Sequence, residues 1–131
     1  MKIRILDVRN DDLNVIVQFR SQAGDAVAIW RSAKLTPVVD QQYEVEVDAN
    51  VVLRDEAVIG ATNSLAKSRL ERVGSKTRLT AEVEGLDEDG MAYLRVASDC
   101  ILMVESEGQS IHPGVMVSID LEPTDLEVTP S

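Results

Sequence analysis

The sequence is poor in aromatic residues, with four among 131: Phe19, Trp30, Tyr43 and Tyr93. Because proteins that hold single-stranded nucleic acids stack the bases on aromatic side chains, this scarcity argues against nucleic acid as a partner. No stretch is apolar over the roughly 20 residues that a membrane-spanning helix needs. Charged residues also interrupt residues 1–7, where a signal peptide would be apolar. We therefore expect a cytoplasmic protein with no membrane partner.

Cysteine and histidine each occur once, as Cys100 and His112. A single cysteine forms no intrachain disulfide, which agrees with a reducing compartment, and the apolar neighbours of Cys100 indicate a packed thiol. His112 lies beside a Pro-Gly pair, with no cysteine or serine motif that would complete a nucleophilic triad. Ser64 and Lys67 have a Ser-x-x-Lys spacing, but the companion motifs of acyl-transfer enzymes are missing. We predict a protein that is not an enzyme and uses no cofactor.

Negative charge is concentrated in the second half of the chain. Residues 1–73 carry 10 Lys/Arg and 11 Asp/Glu, whereas residues 74–131 carry 3 and 12, so the second half holds nearly all of the net charge of −10. Such a field repels phosphate backbones and attracts basic proteins. The charge distribution therefore favours a basic protein partner.

Short alternating segments separated by turn residues predict an all-β fold. After His112-Pro113-Gly114, apolar residues alternate with more polar ones, as in a half-buried strand. Similar segments predict eight strands, near residues 2–8, 15–19, 27–30, 43–47, 77–84, 91–96, 100–104 and 115–121. Their short connections favour antiparallel pairing in a small barrel, or in two packed barrels.

Three local patterns sharpen this prediction. The apolar face changes between Ile5 and Leu6, which indicates a β-bulge. Residues 27–30 are apolar on both faces, which is typical of a strand covered on both sides. Asp89-Gly90 between two strand-like segments predicts a hairpin turn.

The carboxylates of residues 87–89 lack the ligand spacing of a calcium loop, so we predict a solvated turn and no metal site.

The segment between the two halves has the pattern of a short helix. Residues 62–64 offer N-cap side chains, Ala66, Leu70 and Val73 follow at helical spacing, and Gly74 has the position of a C-cap. The predicted organisation is a first β-rich unit over residues 1–56, closed by Leu53, a helical connector over 57–75 and an acidic β-rich unit over 76–131. The two units are either copies of one another or valine-rich strands that look alike by coincidence, and the whole chain can also form one compact domain.

The second unit, with its hairpin at Asp89-Gly90 and its strand after Pro113-Gly114, resembles small OB-type barrels, including the TOBE-like modules that occur in tandem. The resemblance covers about residues 76–128 and, less clearly, 2–53. It implies two OB-like repeats and a capacity to bind oligonucleotides, oligosaccharides or oxyanions, although none of their ligand motifs can be placed on this chain. The fold class is thus predicted as all-β with one short helix.

Two candidate binding surfaces follow from the charges. The first is an acidic surface for a basic protein, as in an adaptor, inhibitor or immunity-type protein, formed by Glu82, Glu84, Asp87, Glu88, Asp89, Glu105, Glu107, Asp120 and Glu122. The alternative is an OB-type site for nucleic acid or a small anion, where cations surround the only tryptophan: Arg20, Trp30, Arg31 and Lys34. That site requires Trp30 to face solvent. Unpaired strand edges would also allow a homodimer.

Overall fold

The computed structural model describes residues 1–61 and 67–131, and the regular secondary structure in this part of the chain is nearly all β-strand. Two three-residue 3₁₀ turns occur, at Asp55–Ala57 and Pro123–Asp125. The strands are β1 Lys2–Asp11, β2 Asn14–Ser21, β3 Gly24–Trp30, β4 Gln42–Ala49, β5 Val52–Leu53, β6 Val58–Ala61, β7 Arg69–Val73, β8 Lys76–Leu86, β9 Met91–Ala97, β10 Cys100–Ser106, β11 Val115–Leu121 and β12 Leu126–Pro130.

Five of these strands form a closed barrel. β1 pairs with β2 and with β4, and β2 pairs with β3, all antiparallel. The last strand, β12, fills the remaining gap, because it is antiparallel to β4 and parallel to β3, with Val128 opposite Trp30. The first barrel is therefore closed by a strand that comes from the far end of the chain.

The second half repeats this pairing pattern. β8, β9 and β10 form an antiparallel series, and β11 pairs with β8. The gap between β10 and β11 is bridged by residues 52–61, because β5 is parallel to β10 and β6 is antiparallel to β11. Each half thus supplies the closing segment of the other, and each closing segment includes a 3₁₀ turn.

The buried side chains of the two halves belong to one hydrophobic cluster. It extends from Ile3 and Phe19 in the first barrel, through Leu79 and Leu94, to Leu126 on the closing strand, and all five are at most 1% exposed. Because β12 carries Leu126 and Val128 into the first barrel, the core of that barrel depends on residues from the end of the second half.

The all-β prediction and its local details are confirmed. The register of β1 against β2 shifts between Ile5 and Asp7, where the bulge was expected. Residues 26–30 of β3 are buried on both faces, and the 87–90 turn joins β8 to β9. In β11, Val115, Val117 and Leu121 are buried as the alternation predicts, Ile119 is half-buried against the core, and Met116 is buried as well.

The helix predicted in the connector over residues 57–75 is wrong where the chain is described. Residues 58–61 form β6 and residues 69–73 form β7, whose Leu70 lies opposite Leu79 in a hairpin with β8. Gly74, with φ of 65°, makes the turn of that hairpin instead of a helix cap. Residues 62–66, which include the proposed N-cap residues and Ser64, lie outside the described part of the chain.

Strand number and strand direction also differ from the prediction. The described residues form twelve strands instead of eight, because β5, β6, β7 and β12 were not predicted. Three pairings are parallel, β3 with β12, β3 with β7 and β5 with β10. Leu53 does not close the first unit, since it lies opposite Ser106 of β10. Within residues 1–61 and 67–131, no helix has the length and apolar character that a membrane-spanning helix requires.

A substitution at Leu126 tests whether the closing strand β12 packs into the first barrel. Its side chain is fully buried in the first barrel, so Leu126→Ala should lower the free energy of unfolding by about 2–5 kcal/mol, because it removes apolar contacts and leaves a cavity. Urea unfolding of the whole chain measures this change. The matched control is Leu13→Ala, at a side chain that is 99% exposed, which should change stability by at most about 0.5 kcal/mol. Equal losses in both variants would contradict this packing.

Candidate functional site

Trp30 does not face solvent, so it cannot act as a stacking platform. Its side chain is 4% exposed and belongs to the hydrophobic core. The indole Nε1–H donates to the Leu35 carbonyl at 2.8 Å, and the ring meets Tyr43 edge to face at a centroid distance of 5.0 Å. The alternative site therefore loses its aromatic component.

The two arginines near Trp30 are paired with carboxylates, and the lysine is exposed on a loop. The Arg20 guanidinium donates to both oxygens of Asp25 at 2.9 and 3.1 Å, and this hydrogen-bonded pair raises the pKa of Arg20. Arg31 donates twice to one oxygen of Glu127, at 2.8 and 3.1 Å. Lys34 is exposed on the loop that follows β3. The structure therefore does not combine these residues into a basic aromatic surface.

The outer face of β2 and β3 is covered as well. Ile16, Val27 and Ile29 form a small buried cluster there, and the Val27 N–H donates to Thr77 Oγ1 at 3.0 Å in a buried position. Thr77 belongs to β8, so a residue of the second half bonds to the edge of β3 beside this cluster, next to a face that an OB-type barrel would offer to a ligand. This arrangement further weakens the nucleic-acid alternative.

Many residues of the predicted acidic surface are already paired. Every cation of the second half has a carboxylate partner: Arg78 with Asp120 at 2.8 Å, Arg95 with Glu84 at 2.9 Å, and Lys76 with Glu122 at 3.2 Å. Arg54 from the first half pairs with Glu107. Hydrogen bonds from the arginines lower the pKa of Glu84 and of Asp120. These carboxylates keep their negative charge, but a nearby cation offsets it.

Asp87 has a structural role in the β8–β9 turn. Its carboxylate accepts hydrogen bonds from the backbone N–H groups of Asp89 and Met91 and from the Tyr93 hydroxyl. These bonds, chiefly the one from Met91, lower the pKa of Asp87. Asp87 therefore fixes the hairpin, whereas Glu88 and Asp89 are exposed at its tip. Glu82 is half-buried and makes an interaction of its own.

A groove between the two halves brings together acidic and apolar residues that are distant in sequence. We call it the β4–β10 groove, because β4 forms one wall and β10 the other. It consists of two adjoining depressions of about 540 and 300 Å³ that share Asp48. Residues 45–48 lie beside 99–101, and residues 48–50 lie beside 103–105, so the two strands run in the same direction along it. Its lining includes Met1, Glu46, Asp48, Val51, Met91, Asp99, Ile101, Met103, Glu105 and Glu127.

The charge of the groove is of one sign. Five carboxylates line it, from Glu46, Asp48, Asp99, Glu105 and Glu127, and among the described residues no lysine or arginine side chain does. Glu127 is paired with Arg31. The α-amino group of Met1 is the one cation in this lining, and it donates to the Val45 carbonyl and lies 3.7 Å from Glu44. An approaching cation would therefore meet a negative potential.

Apolar side chains lie on the β10 wall of the same groove. Ile101 is 44% exposed and Met103 is 52% exposed, whereas their neighbours Leu102 and Val104 are buried in the core. Methionine is flexible and polarizable and is enriched at protein interfaces. The groove thus offers charge attraction and apolar contact to one ligand.

Backbone groups on both walls face the groove without a strand partner in the described chain. The Ser106 N–H donates to the Gly90 carbonyl, and alternate residues of β10, at 102 and 104, bond to β9 in the same way. The backbone groups of Ile101 and Met103 therefore face away from β9. On β4, Glu44 and Asn50 bond to the C-terminal segment. The backbone groups of Val47 and Ala49, at alternate positions between them, therefore face the groove. β5 pairs with β10 only at Glu105 and Ser106. At residues 101–103, β10 therefore lies beside β4 in the described chain without pairing with it.

The single cysteine, the single histidine and the metal-ligand types of the described residues were each candidates for chemistry. No three His, Cys, Asp or Glu side chains among them are placed to hold a metal ion. Cys100 lies in the core, where burial raises the pKa of its thiol and keeps it neutral. His112 is exposed in the turn before β11. Lys67 is exposed, and its proposed partner Ser64 lies outside the described residues.

Sequence reasoning found only Glu105 among the residues of this groove. Glu46 and Asp48 were not selected, because the first half seemed neutral when its charges were counted along the chain. Exposure of Ile101 and Met103 also could not be inferred, since residues 100–104 are almost continuously apolar. The available signal was the alternation of acidic residues at 44, 46 and 48, which the sequence shows on one face of a strand.

Comparisons with known proteins do not add to this description. No protein-family model matches the chain, and no curated protein or solved structure matches it either. The function has to be inferred from the geometry of the chain itself.

Burial of Trp30 predicts the behaviour of its fluorescence. Because this is the only tryptophan, quenching by the neutral molecule acrylamide reports on this one site. We expect much weaker quenching in the folded protein than in the urea-unfolded chain, since solvent reaches 4% of the side chain. Equal quenching in both states would show that the indole is accessible and would revive the alternative site.

The Arg78–Asp120 pair predicts a measurable change in pKa. Hydrogen bonding to Arg78 lowers the pKa of Asp120, so its stabilising effect is present above the unfolded pKa and is lost as the pH falls through the folded value. Arg78→Gln should raise the pKa of Asp120 towards its usual value of about 3.9, as measured by NMR titration of the carboxyl carbon. The control Arg95→Gln removes the partner of Glu84 and should leave Asp120 unchanged. A pKa of Asp120 that is the same in all three proteins would refute the assignment.

Proposed function

We propose that this protein is a non-catalytic protein–protein interaction module that binds a basic partner through the β4–β10 groove. The observation that carries the proposal is the lining of the groove: five carboxylates and exposed apolar side chains, with no lysine or arginine side chain among the described residues. Asp99, Glu105 and Glu127 come from the acidic second half, and Glu46 and Asp48 come from the first.

Charge attraction and apolar burial support the proposal in different ways. Exposed carboxylates attract a basic surface over distances of about a Debye length, roughly 8 Å at physiological salt, and mainly increase the association rate. Contact with Ile101 and Met103 would slow dissociation, because it removes apolar surface from water. The ion-paired carboxylates Glu84, Asp120 and Glu122 can contribute less, since binding would first have to separate existing pairs.

We also propose that the halves are related to OB-type barrels. In support, the closed barrel has five strands in a Greek-key order, with its third strand parallel to the closing strand. The second half has the same pairing pattern, which favours duplication over coincidence. Binding of nucleic acid or a small anion is the less favoured function, because Trp30 is buried and Ile16, Val27 and Ile29 are covered.

The proposal predicts that capture of partners depends on the groove. The variant Asp48→Lys/Glu105→Lys and the control Asp11→Lys/Glu88→Lys each raise the formal net charge from −10 to −6, and all four positions are exposed. Immobilised wild type and control should retain the same proteins from a lysate, and the groove variant should not. The retained proteins should elute as salt approaches about 1 M, where the Debye length is near 3 Å.

Two results would contradict this function. One is a set of retained proteins that is the same for the groove variant and the wild type. The other is loss of those proteins from the Asp11→Lys/Glu88→Lys control alone, which would assign binding to the tip of the β8–β9 turn.

A further inference from the structure

We propose that the partner presents a basic amphipathic α-helix, which lies lengthwise on the outer face of β9 and β10 and directs lysine or arginine residues to the carboxylates of β4. The inference rests on the proposed function and specifies which element of the partner binds. Three observations support it: an apolar patch on β9 and β10, a row of carboxylates beside it on β4, and the close approach of β4 to β10.

The outer face of β9 and β10 carries an apolar patch, formed by Met91, Tyr93, Ile101 and Met103. The residues that alternate with them along each strand are buried, so these four side chains face away from the core. Ile101 and Met103 are 44% and 52% exposed, and Met91 and Tyr93 are half-buried. Met103 lies opposite Tyr93 in the antiparallel pairing. Single exposed apolar residues are ordinary, whereas neighbouring ones form a patch that a partner can cover.

A row of carboxylates on β4 lies along one side of this patch. Glu44, Glu46 and Asp48 are exposed and alternate with residues that are less exposed. β4 and β10 run in the same direction, with residues 46–48 beside 99–101. The outer surface therefore presents carboxylates along one side and apolar side chains along the other, and both sets face a ligand that approaches from outside.

The spacing of β4 and β10 leaves no room for a further strand between them. Cα atoms of the two strands lie within 8 Å of each other, whereas an inserted strand would separate them by about 9–10 Å, twice the usual strand spacing. Residues 49–51 also lead directly into β5, which pairs with β10 at Glu105. A partner therefore has to bind the outward side chains and not the backbone.

An α-helix fits an outer face of this kind. With its side chains a helix is about 10–12 Å across, which is enough to cover two strands that are about 4.8 Å apart. Apolar residues at i, i+3, i+4 and i+7 form a stripe along one side of it. Residues four apart rise by about 6 Å, close to the spacing of about 6.6–6.8 Å between outward residues such as Ile101 and Met103. Docking of an amphipathic helix through its apolar side is a recurring mode of recognition.

The charges on the two sides of the patch specify which flank of the helix is basic. Arg95 lies opposite Ile101 and is paired with Glu84, so a cation borders the patch on the side of β8. The opposite side presents Glu46 and Asp48 across the β4–β10 groove. Lysine or arginine residues should therefore occupy the flank over β4, and the flank over β8 should be neutral or acidic.

A second copy of this chain does not meet this description. Among residues 1–61 and 67–131, the helical segments are the two 3₁₀ turns of three residues each, which are too short to provide an amphipathic stripe. The net charge of −10 also opposes contact between two copies through their acidic faces. A cationic helix of another protein meets attraction at the same surface.

Binding of a designed peptide provides the test. The probe is Ala-Ala-Leu-Lys-Ala-Ala-Leu-Lys-Ala-Leu-Lys-Ala-Ala-Leu, acetylated and amidated at its ends, which as a helix has its leucines in one stripe and its lysines on one flank. The control, Leu-Ala-Leu-Lys-Ala-Ala-Lys-Ala-Leu-Ala-Leu-Ala-Lys-Ala, has the same composition, but its leucines are distributed around the helix. We expect the probe to bind about tenfold more tightly, a difference of about 1.4 kcal/mol. It should also gain helical circular dichroism on binding and shift the methyl NMR signals of Ile101 and Met103.

A pair of double variants locates the binding face. Ile101→Thr/Met103→Thr removes apolar side chains from the patch, and threonine suits a strand, so this variant should fold and should lose the tenfold preference for the probe. The control Ile59→Thr/Val73→Thr changes strand residues that are 53% and 40% exposed and lie outside the groove lining, and it should retain the preference. The NMR spectrum shows whether each variant is folded, and Ile101→Ala/Met103→Ala repeats the comparison should the threonine variant unfold.

The outcomes separate this inference from the proposed function. Equal affinities for the two peptides, a bound probe without helical circular dichroism, or a preference that survives Ile101→Thr/Met103→Thr would each overturn helix docking on this face. Capture from a lysate that depends on Asp48 and Glu105 would still support the interaction function in those cases. Probe binding that meets all of the expectations supports the inference even if lysate capture fails.

Discussion

The exchange of closing segments between the two halves is the constraint on which the rest of the structure depends. Burial of apolar surface is the main favourable term in folding, and neither set of strands can complete that burial with its own sequence. β12 carries Leu126 and Val128 into the first barrel, and residues 52–61 carry Leu53 to β10 in the second half. This crossing places β4 beside β10, and the groove is the space that remains between those two strands.

The fold class and several local features could be predicted because their causes are local. A change of apolar face marks the bulge after Ile5, and Asp89-Gly90 specifies a tight turn whatever surrounds it. β7 could not be predicted in this way, because Leu70 and Val73 fit a helical period as well as they fit a strand. Pairing with β8 across the Gly74 turn decides the outcome, and that contact is not visible in a single segment. The closing strands were missed for a related reason, since their partners lie in the opposite half of the sequence.

The candidate site was harder to predict than the fold, for a reason that involves charge. Counting charges along the chain selected the acidic second half, but folding brings Arg54 to Glu107, Arg78 to Asp120 and Arg95 to Glu84. Those pairs offset much of the predicted surface. Meanwhile Glu46 and Asp48, from the half that seemed neutral, lie next to Asp99 and Glu105. Local charge density depends on which strands become neighbours, and the exchange of closing segments determines that.

Exchange of the closing segments also determines the order in which the protein can fold during synthesis. The four strands β1 to β4 leave the ribosome first, yet their barrel stays open until residues 126–130 have been made. Contacts between such distant residues are slow to form, because a long loop must be closed before they contribute any stability. The nascent first half therefore exposes the open edges of β3 and β4 until residues 126–130 have left the ribosome.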